Sequence, residues 1–119
     1  MSETIHRARY PILALRGITI FPDQTIHFDI GRVKSALALE HAMKHDQTLV
    51  LIPQKDILVD DPELIDLYPV GTLVSVKQIL KSHTDNIRVL VTGLRRVKIS
   101  ELCQTAPFLS GYVEDAEEV

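Results

Sequence analysis

Only one stretch of this chain spaces its apolar residues for a helix. From Val33 to Lys44, the residues Val33, Ala36, Leu37, Leu39 and Met43 fall on one broad stripe at about 100° per residue, with Lys34, His41 and His45 off it. Glu40 lies inside the stripe, but it pairs with Lys44 at i, i+4 in the favourable order, which draws its carboxylate to the edge. Gly31 or a neighbour opens the helix and His45-Asp46 closes it. A chain with a single good helix cannot supply the crossover that each unit of a parallel βαβ fold requires, so the rest must pair mostly antiparallel.

The strands follow from period two. Thr25 to Ile30 alternates, with Ile26, Phe28 and Ile30 on one face and His27 and Asp29 on the other, which predicts a half-buried strand. Tyr10 to Leu15 is a short apolar run, and Thr48 to Ile52 is a continuous β-prone run suited to a strand covered on both sides. Gly71 to Lys81 and Ile87 to Thr92 read as a β-hairpin joined by Ser82 to Asn86. Gly93 breaks that run, Val97 and Ile99 alternate with Arg96 and Lys98 in a further strand, and Phe108 to Val113 is the last. Asp60-Asp61-Pro62-Glu63 offers a capping carboxylate, a proline at the first helical position and an acid in the first turn, so a short helical turn starts there and ends at Pro69. About six or seven strands with one helix predict a mainly β (α+β) fold built on a closed or nearly closed, mostly antiparallel sheet.

Composition bounds the function. The 119 residues suit one domain with a core that needs no metal or disulfide staple. With 13 Lys+Arg against 16 Asp+Glu the net charge is −3, which disfavours a phosphate backbone or an anionic membrane as partner. Cys103 is the single cysteine, with no metal-ligand spacing around it, and fits a reducing compartment. The N-terminus lacks a secretory apolar region and no apolar run approaches the roughly 18 residues of a membrane span. The expected setting is cytoplasmic.

Catalytic motifs fail one by one. The glycines at 17, 31, 71, 93 and 111 are too widely spaced for a phosphate-binding loop or a dinucleotide fingerprint. Leu109-Ser110-Gly111 has Phe108 where a nucleophile elbow needs glycine. His41 and His45 have a zinc-compatible spacing, but Ala42 stands where a zinc hydrolase carries its general base, so two solvated histidines are the simpler reading. Asp56, Asp60, Asp61 and Glu63 lack calcium-loop spacing. Arg88, Arg95, Arg96 and Lys98 form a basic cluster without interleaved aromatics, which reads as a solvated sheet face. Catalytic, cofactor-binding and metal residues are therefore all expected to be absent. What stands out is apolar material in connectors: Ile18, Ile20, Phe21 and Pro22 between the first two strands, and Leu64, Ile65, Leu67 and Tyr68 around the short turn. Such residues either cap the ends of a small barrel or meet extended apolar segments of other proteins.

The order of signals carries a resemblance. Leu13-Ala14-Leu15-Arg16-Gly17, Ile20-Phe21-Pro22, Ile30-Gly31-Arg32, Ala38 to Met43, Gln54-Lys55-Asp56, Asp66 to Thr72, Gln78 to Lys81 and Val89 to Arg96 run in sequence from about Tyr10 to Leu102. Together they resemble the N-terminal domain of the Lon family of ATP-dependent proteases. Val33 departs from the acidic residue that commonly follows Gly-Arg, Asp85-Asn86 replaces a more usual Asp-Gly turn, and His27-Phe28-Asp29 is more polar than the family's version of that strand.

The resemblance implies a PUA-like twisted antiparallel pseudo-barrel of about six strands with one prominent helix. It implies an N-terminal segment over residues 1–9, the domain proper over 10–114 and an acidic end over 115–119 where a longer protein was cut. It also implies a non-catalytic domain that engages unfolded or degron-bearing proteins and supports a homo-hexamer, with ATP, magnesium and the Ser-Lys protease chemistry in later domains. Ile18, Ile20, Phe21 and Pro22 are the candidate substrate contacts, with Tyr68 second. The alternative is a stand-alone adaptor or small-ligand-binding module of the same domain type; RNA binding is disfavoured by charge.

Overall fold

The structure, a computed structural model, describes residues 9–17, 19–31, 33–60, 62–81, 87–105 and 107–116. The elements are β1 (Arg9–Leu15), β2 (Thr25–Ile30), α1 (Val33–Met43), β3 (Thr48–Pro53), a 3-10 turn (Leu64–Asp66), β4 (Val70–Lys81), β5 (Ile87–Gln104) and β6 (Leu109–Asp115). The turn expected at Ser82 to Asn86 lies outside the described residues, as do 1–8 and 117–119.

The strands lie in the order β2-β5-β4-β3-β1-β6, and β6 pairs back onto β5, so β5, β4, β3, β1 and β6 close into a ring. All pairs are antiparallel except β1 with β3, which run parallel from Ile12 opposite Val50 to Leu15 opposite Pro53. The one helix belongs to the connection between those two strands and packs on β1 and β3. The fold is thus the mostly β pseudo-barrel with a single helix that the strand and helix signals predict.

One expectation is corrected. The residues from Ile87 onward are not two strands broken at Gly93 but one 18-residue strand. Its first half pairs with β2 and its second half with β6, while β4 follows both. Register shifts at Leu73/Val74 and Val76/Gln78 against β4, and at Ile99/Glu101 against β6, mark where the ladder bends to turn from the open edge into the ring.

Two apolar cores form on opposite faces of the sheet. Ile12, Ala14, Val50, Ile52, Leu73, Val97 and Leu109, joined by Leu67, draw on every strand of the ring and fill its interior. Leu13, Leu15, Leu49 and Leu51 face the other way and pack with Phe28, Ile30, Leu39, Ala42, Val89 and Val91 under the helix. β1 and β3 are therefore covered on both sides, as an unbroken apolar run requires. The buried face of α1 is Ser35, Ala38, Leu39 and Ala42, offset from the predicted stripe. The small Ala38 and Ala42 let the helix approach the sheet closely, which leaves the bulkier Leu37 and Met43 at the margin, only partly buried.

Candidate functional site

The connector between β1 and β2 is fixed by backbone hydrogen bonds. It bends at Gly17, whose φ of +71° suits glycine; Ile18 lies outside the described residues. Ile20 turns inward, 3% exposed, into the core under the helix, and its carbonyl accepts a 2.6 Å hydrogen bond from the buried Thr72 hydroxyl. Its side chain is thus committed to the core, whereas its neighbour Phe21 is not. Phe21 turns outward and is 51% exposed, while Pro22 is half-buried.

From Phe21 to Gln24 the chain makes a tight turn. The Gln24 N–H donates to the Phe21 carbonyl at 3.1 Å, and the Phe21 N–H donates to the Gln24 side-chain oxygen at 3.0 Å. Two further 2.9 Å bonds, Asp23 N–H to the Gly93 carbonyl and Gly93 N–H to the Gln24 carbonyl, stitch this turn to β5. Gly93 is what permits it, since a Cβ there would collide with the Phe21 carbonyl and stand 3.2 Å from the Pro22 Cα. The Arg96 guanidinium lies 5.0 Å from the Phe21 ring centroid, within cation–π range. Phe21 is thereby held out on a rigid mount.

The second apolar segment is built in the same way. Leu67 is buried and pairs with Gln54 across an isolated bridge, the Lys55 N–H donates to the Asp66 carbonyl at 2.8 Å, and the Tyr68 N–H donates to the Pro53 carbonyl at 3.1 Å. The buried Gln54 amide donates to the Asp56 and Val59 carbonyls at 3.0 and 2.9 Å, which folds residues 54–59 into a compact loop. The turn at Leu64–Asp66 is capped by Asp66 itself, whose carboxylate accepts from the Glu63 N–H at 2.8 Å. Asp60 binds Arg16 at 2.8 Å, and Asp61, the carboxylate directly before the proline and so the expected cap, lies outside the described residues. On this scaffold Tyr68 is half exposed, and Ile57, Leu58 and Ile65 stand out at 53%, 83% and 76%. Sequence reasoning had no place for Ile57 and Leu58, although an apolar Ile57-Leu58-Val59 triplet between Asp56 and Asp60 is a usable signal. Tyr68 precedes Thr72 by four residues, at most about 14 Å of chain, so both apolar segments lie around the start of β4.

Three of the four members of the basic cluster are paired with acids. Arg88 pairs with Asp29 at 3.0 Å, Arg95 with Asp115 at 2.7 Å and Lys98 with Glu114 at 3.1 Å. The hydrogen bond from Arg88 holds the Asp29 carboxyl below its ordinary range, and the bond from Asp115 raises Arg95. Among the described residues no group of three or more His, Cys, Asp or Glu is placed to hold a metal, and no helix is long and apolar enough to cross a membrane.

Comparison with known proteins places the chain in a family. The family described as the ATP-dependent protease La (LON) substrate-binding domain matches residues 9–119. The chain belongs to the Lon substrate-binding domain family. It is 42% identical over 108 residues to the Lon protease of Clostridium acetobutylicum, covering 91% of this chain and 14% of that protein. It is 38% identical over 115 residues to the Lon protease of Escherichia coli K12, covering 97% and 15%. The chain thus spans about one seventh of the length of these curated Lon relatives. In fold it is similar to the N-terminal domain of Mycobacterium avium complex Lon protease, with a TM-score of 0.74 at 17% identity over 94% of this chain and 56% of that one. A Lon N-terminal domain protein from Xanthomonas campestris gives 0.71 at 14%, covering 92% and 60%.

Proposed function

We propose that this Lon domain is the non-catalytic front piece of a Lon-like ATP-dependent serine protease and engages unfolded or degron-bearing proteins through its exposed apolar side chains. The observation that carries the reading is that Phe21, Leu58, Ile65 and Tyr68 project into solvent from backbones locked by hydrogen bonds. Rigid mounting means that little ordering entropy is lost when an apolar segment of another chain lies across them. Each contact is weak, and several such domains in a homo-hexamer raise the effective concentration of apolar sites near the entry to the machine. ATP, magnesium and peptide cleavage belong in this reading to later domains. The Lon relatives support the front-piece reading over a stand-alone adaptor, and the exposed free thiol of Cys103 suits a cytoplasmic setting.

The test is photo-crosslinking of the chain to a reduced, permanently unfolded model protein, with Phe21→Ala and Leu58→Ser/Ile65→Ser as probes. All three residues are exposed, so folding is retained, and crosslinking is expected to fall several-fold in each variant. Yields equal to the parent's in variants that keep the native circular dichroism would remove these residues from the contact surface.

A further inference from the structure

His41 in the last turn of α1 and His45 just beyond it are not both solvated, although the sequence suggests that they are. His41 is only partly exposed, its ring 4.0 Å from that of His45 and 5.0 Å from that of Phe108. They open onto a cavity of about 340 Å³, lined also by Arg9, Tyr10, Pro11, Gln104 and Ser110. That volume lies at the lower end of the range in which proteins hold small organic ligands.

The chemistry of the lining is one-sided. Arg9 enters from β1 and, among the described residues, is oriented by neutral partners: its Nε donates to Ser110 Oγ at 2.9 Å and its Nη2 to Gln104 Oε1 at 2.6 Å. Gln104 is itself fixed, its Nε2 donating to the Phe108 carbonyl at 2.9 Å. Among the described residues no carboxylate lines the cavity. The charged and titratable groups that face His41 are Lys44 and His45 in the turn that follows its helix and Arg9 and Tyr10 on β1; Lys44 is paired with Glu40 at 3.2 Å, away from the lining. The β5 and β6 sides contribute Gln104, Phe108 and Ser110, none of them acidic. Burial first, and then His45, Arg9 and Lys44, hold His41 below its ordinary pKa.

Four other exposed cations, Arg16, Arg88, Arg95 and Lys98, are each met by an acid. Here a preoriented guanidinium and two imidazoles converge beside the apolar walls of Phe108 and Pro11, with no acid beside them among the described residues. We propose that this cavity binds a small oxyanion, a phosphate or carboxylate group carried on a short apolar or aromatic body, through Arg9, His41 and His45. The oxyanion accepts from the guanidinium fork and the imidazolium N–H groups, and its body lies against Phe108. The site is separate from the apolar surface built on Phe21 and Leu58 and does not depend on it.

The test is NMR titration of the histidine Cε1–H resonances of the chain with phenyl phosphate, benzoate and inorganic phosphate, each against sodium chloride at matched ionic strength. Saturable shifts of His41 and His45 are expected, with the apparent pKa of His41 rising on binding and affinity about tenfold higher at pH 6 than at pH 8. Arg9→Gln and the exposed His45→Gln should each weaken binding about tenfold; the second leaves the β1–β6 contacts intact, so loss of fold does not obscure the result. The tighter of phenyl phosphate and benzoate identifies the headgroup, and weaker binding of inorganic phosphate supports the role of Phe108. Shifts no larger than those in sodium chloride, or saturable shifts untouched by both substitutions, would overturn the proposal.

Discussion

His41 shows how a single side chain couples stability to pH. Its folded pKa lies below the ordinary 6.5 because burial and then the neighbouring positive groups oppose its charge. The unfolded chain therefore takes up this proton more readily than the folded one. Stability should rise with pH between the folded and the unfolded pKa, and the contribution of His41 should be flat above the latter. In urea titrations the midpoint of the chain is expected to fall as pH is lowered from 7.5 to 5.5, and His41→Gln should flatten that slope. Equal slopes in parent and variant would place the pH dependence elsewhere. Asp29, lowered by Arg88, contributes in the same sense but in a separate, more acidic window: its stabilisation is present above the carboxylate range and is lost as pH falls through it.

At the scale of elements, the informative piece is β5. A glycine inside an apolar run reads as an interruption, the usual meaning of Gly in a strand pattern. Its cause is tertiary: the Phe21 backbone lies so close to Gly93 that no side chain fits between them. Gly93→Ala should leave the β5 ladder with β2 and β4 intact but lift the Phe21–Gln24 turn off the strand, breaking the two bonds it shares with Asp23 and Gln24. A loss of about 1–3 kcal/mol is expected by analogy with overpacking, together with fast hydrogen exchange at the Asp23 amide. A variant with native stability and a protected Asp23 amide would show that the turn is held by something else. The helix carries a similar lesson. Its position and length were legible from period 3.6, whereas its buried face was not, because a hydrophobic count favours Leu37 and Met43 while close packing on the sheet favours Ala38 and Ala42.

For the molecule as a whole, the two cores share β1 and β3. Leu51 and Ile52 are neighbours in sequence, yet one belongs to the core under the helix and the other to the interior of the ring. Leu51→Ala and Ile52→Ala should each cost about 2–5 kcal/mol. Because both faces hang on the same two strands, both variants should still unfold in one step, with far-ultraviolet dichroism and tyrosine fluorescence changing together. Separate transitions would mean that the ring and the helical side are independent units. What the sequence by itself determined was local: the runs that form strands, the single helix, the missing catalytic and nucleotide motifs, and the ordered motifs that place the chain among Lon substrate-binding domains. These are legible because period, turn chemistry and motif order are properties of residues close together in the chain. Only the tertiary structure decided which connector side chains face outward, burying Ile20 while leaving Phe21, Leu58 and Ile65 in solvent, and which distant residues meet, as Arg9, His41 and Phe108 do. Exposure and convergence depend on how strands far apart in sequence close into a ring, and no local pattern records that.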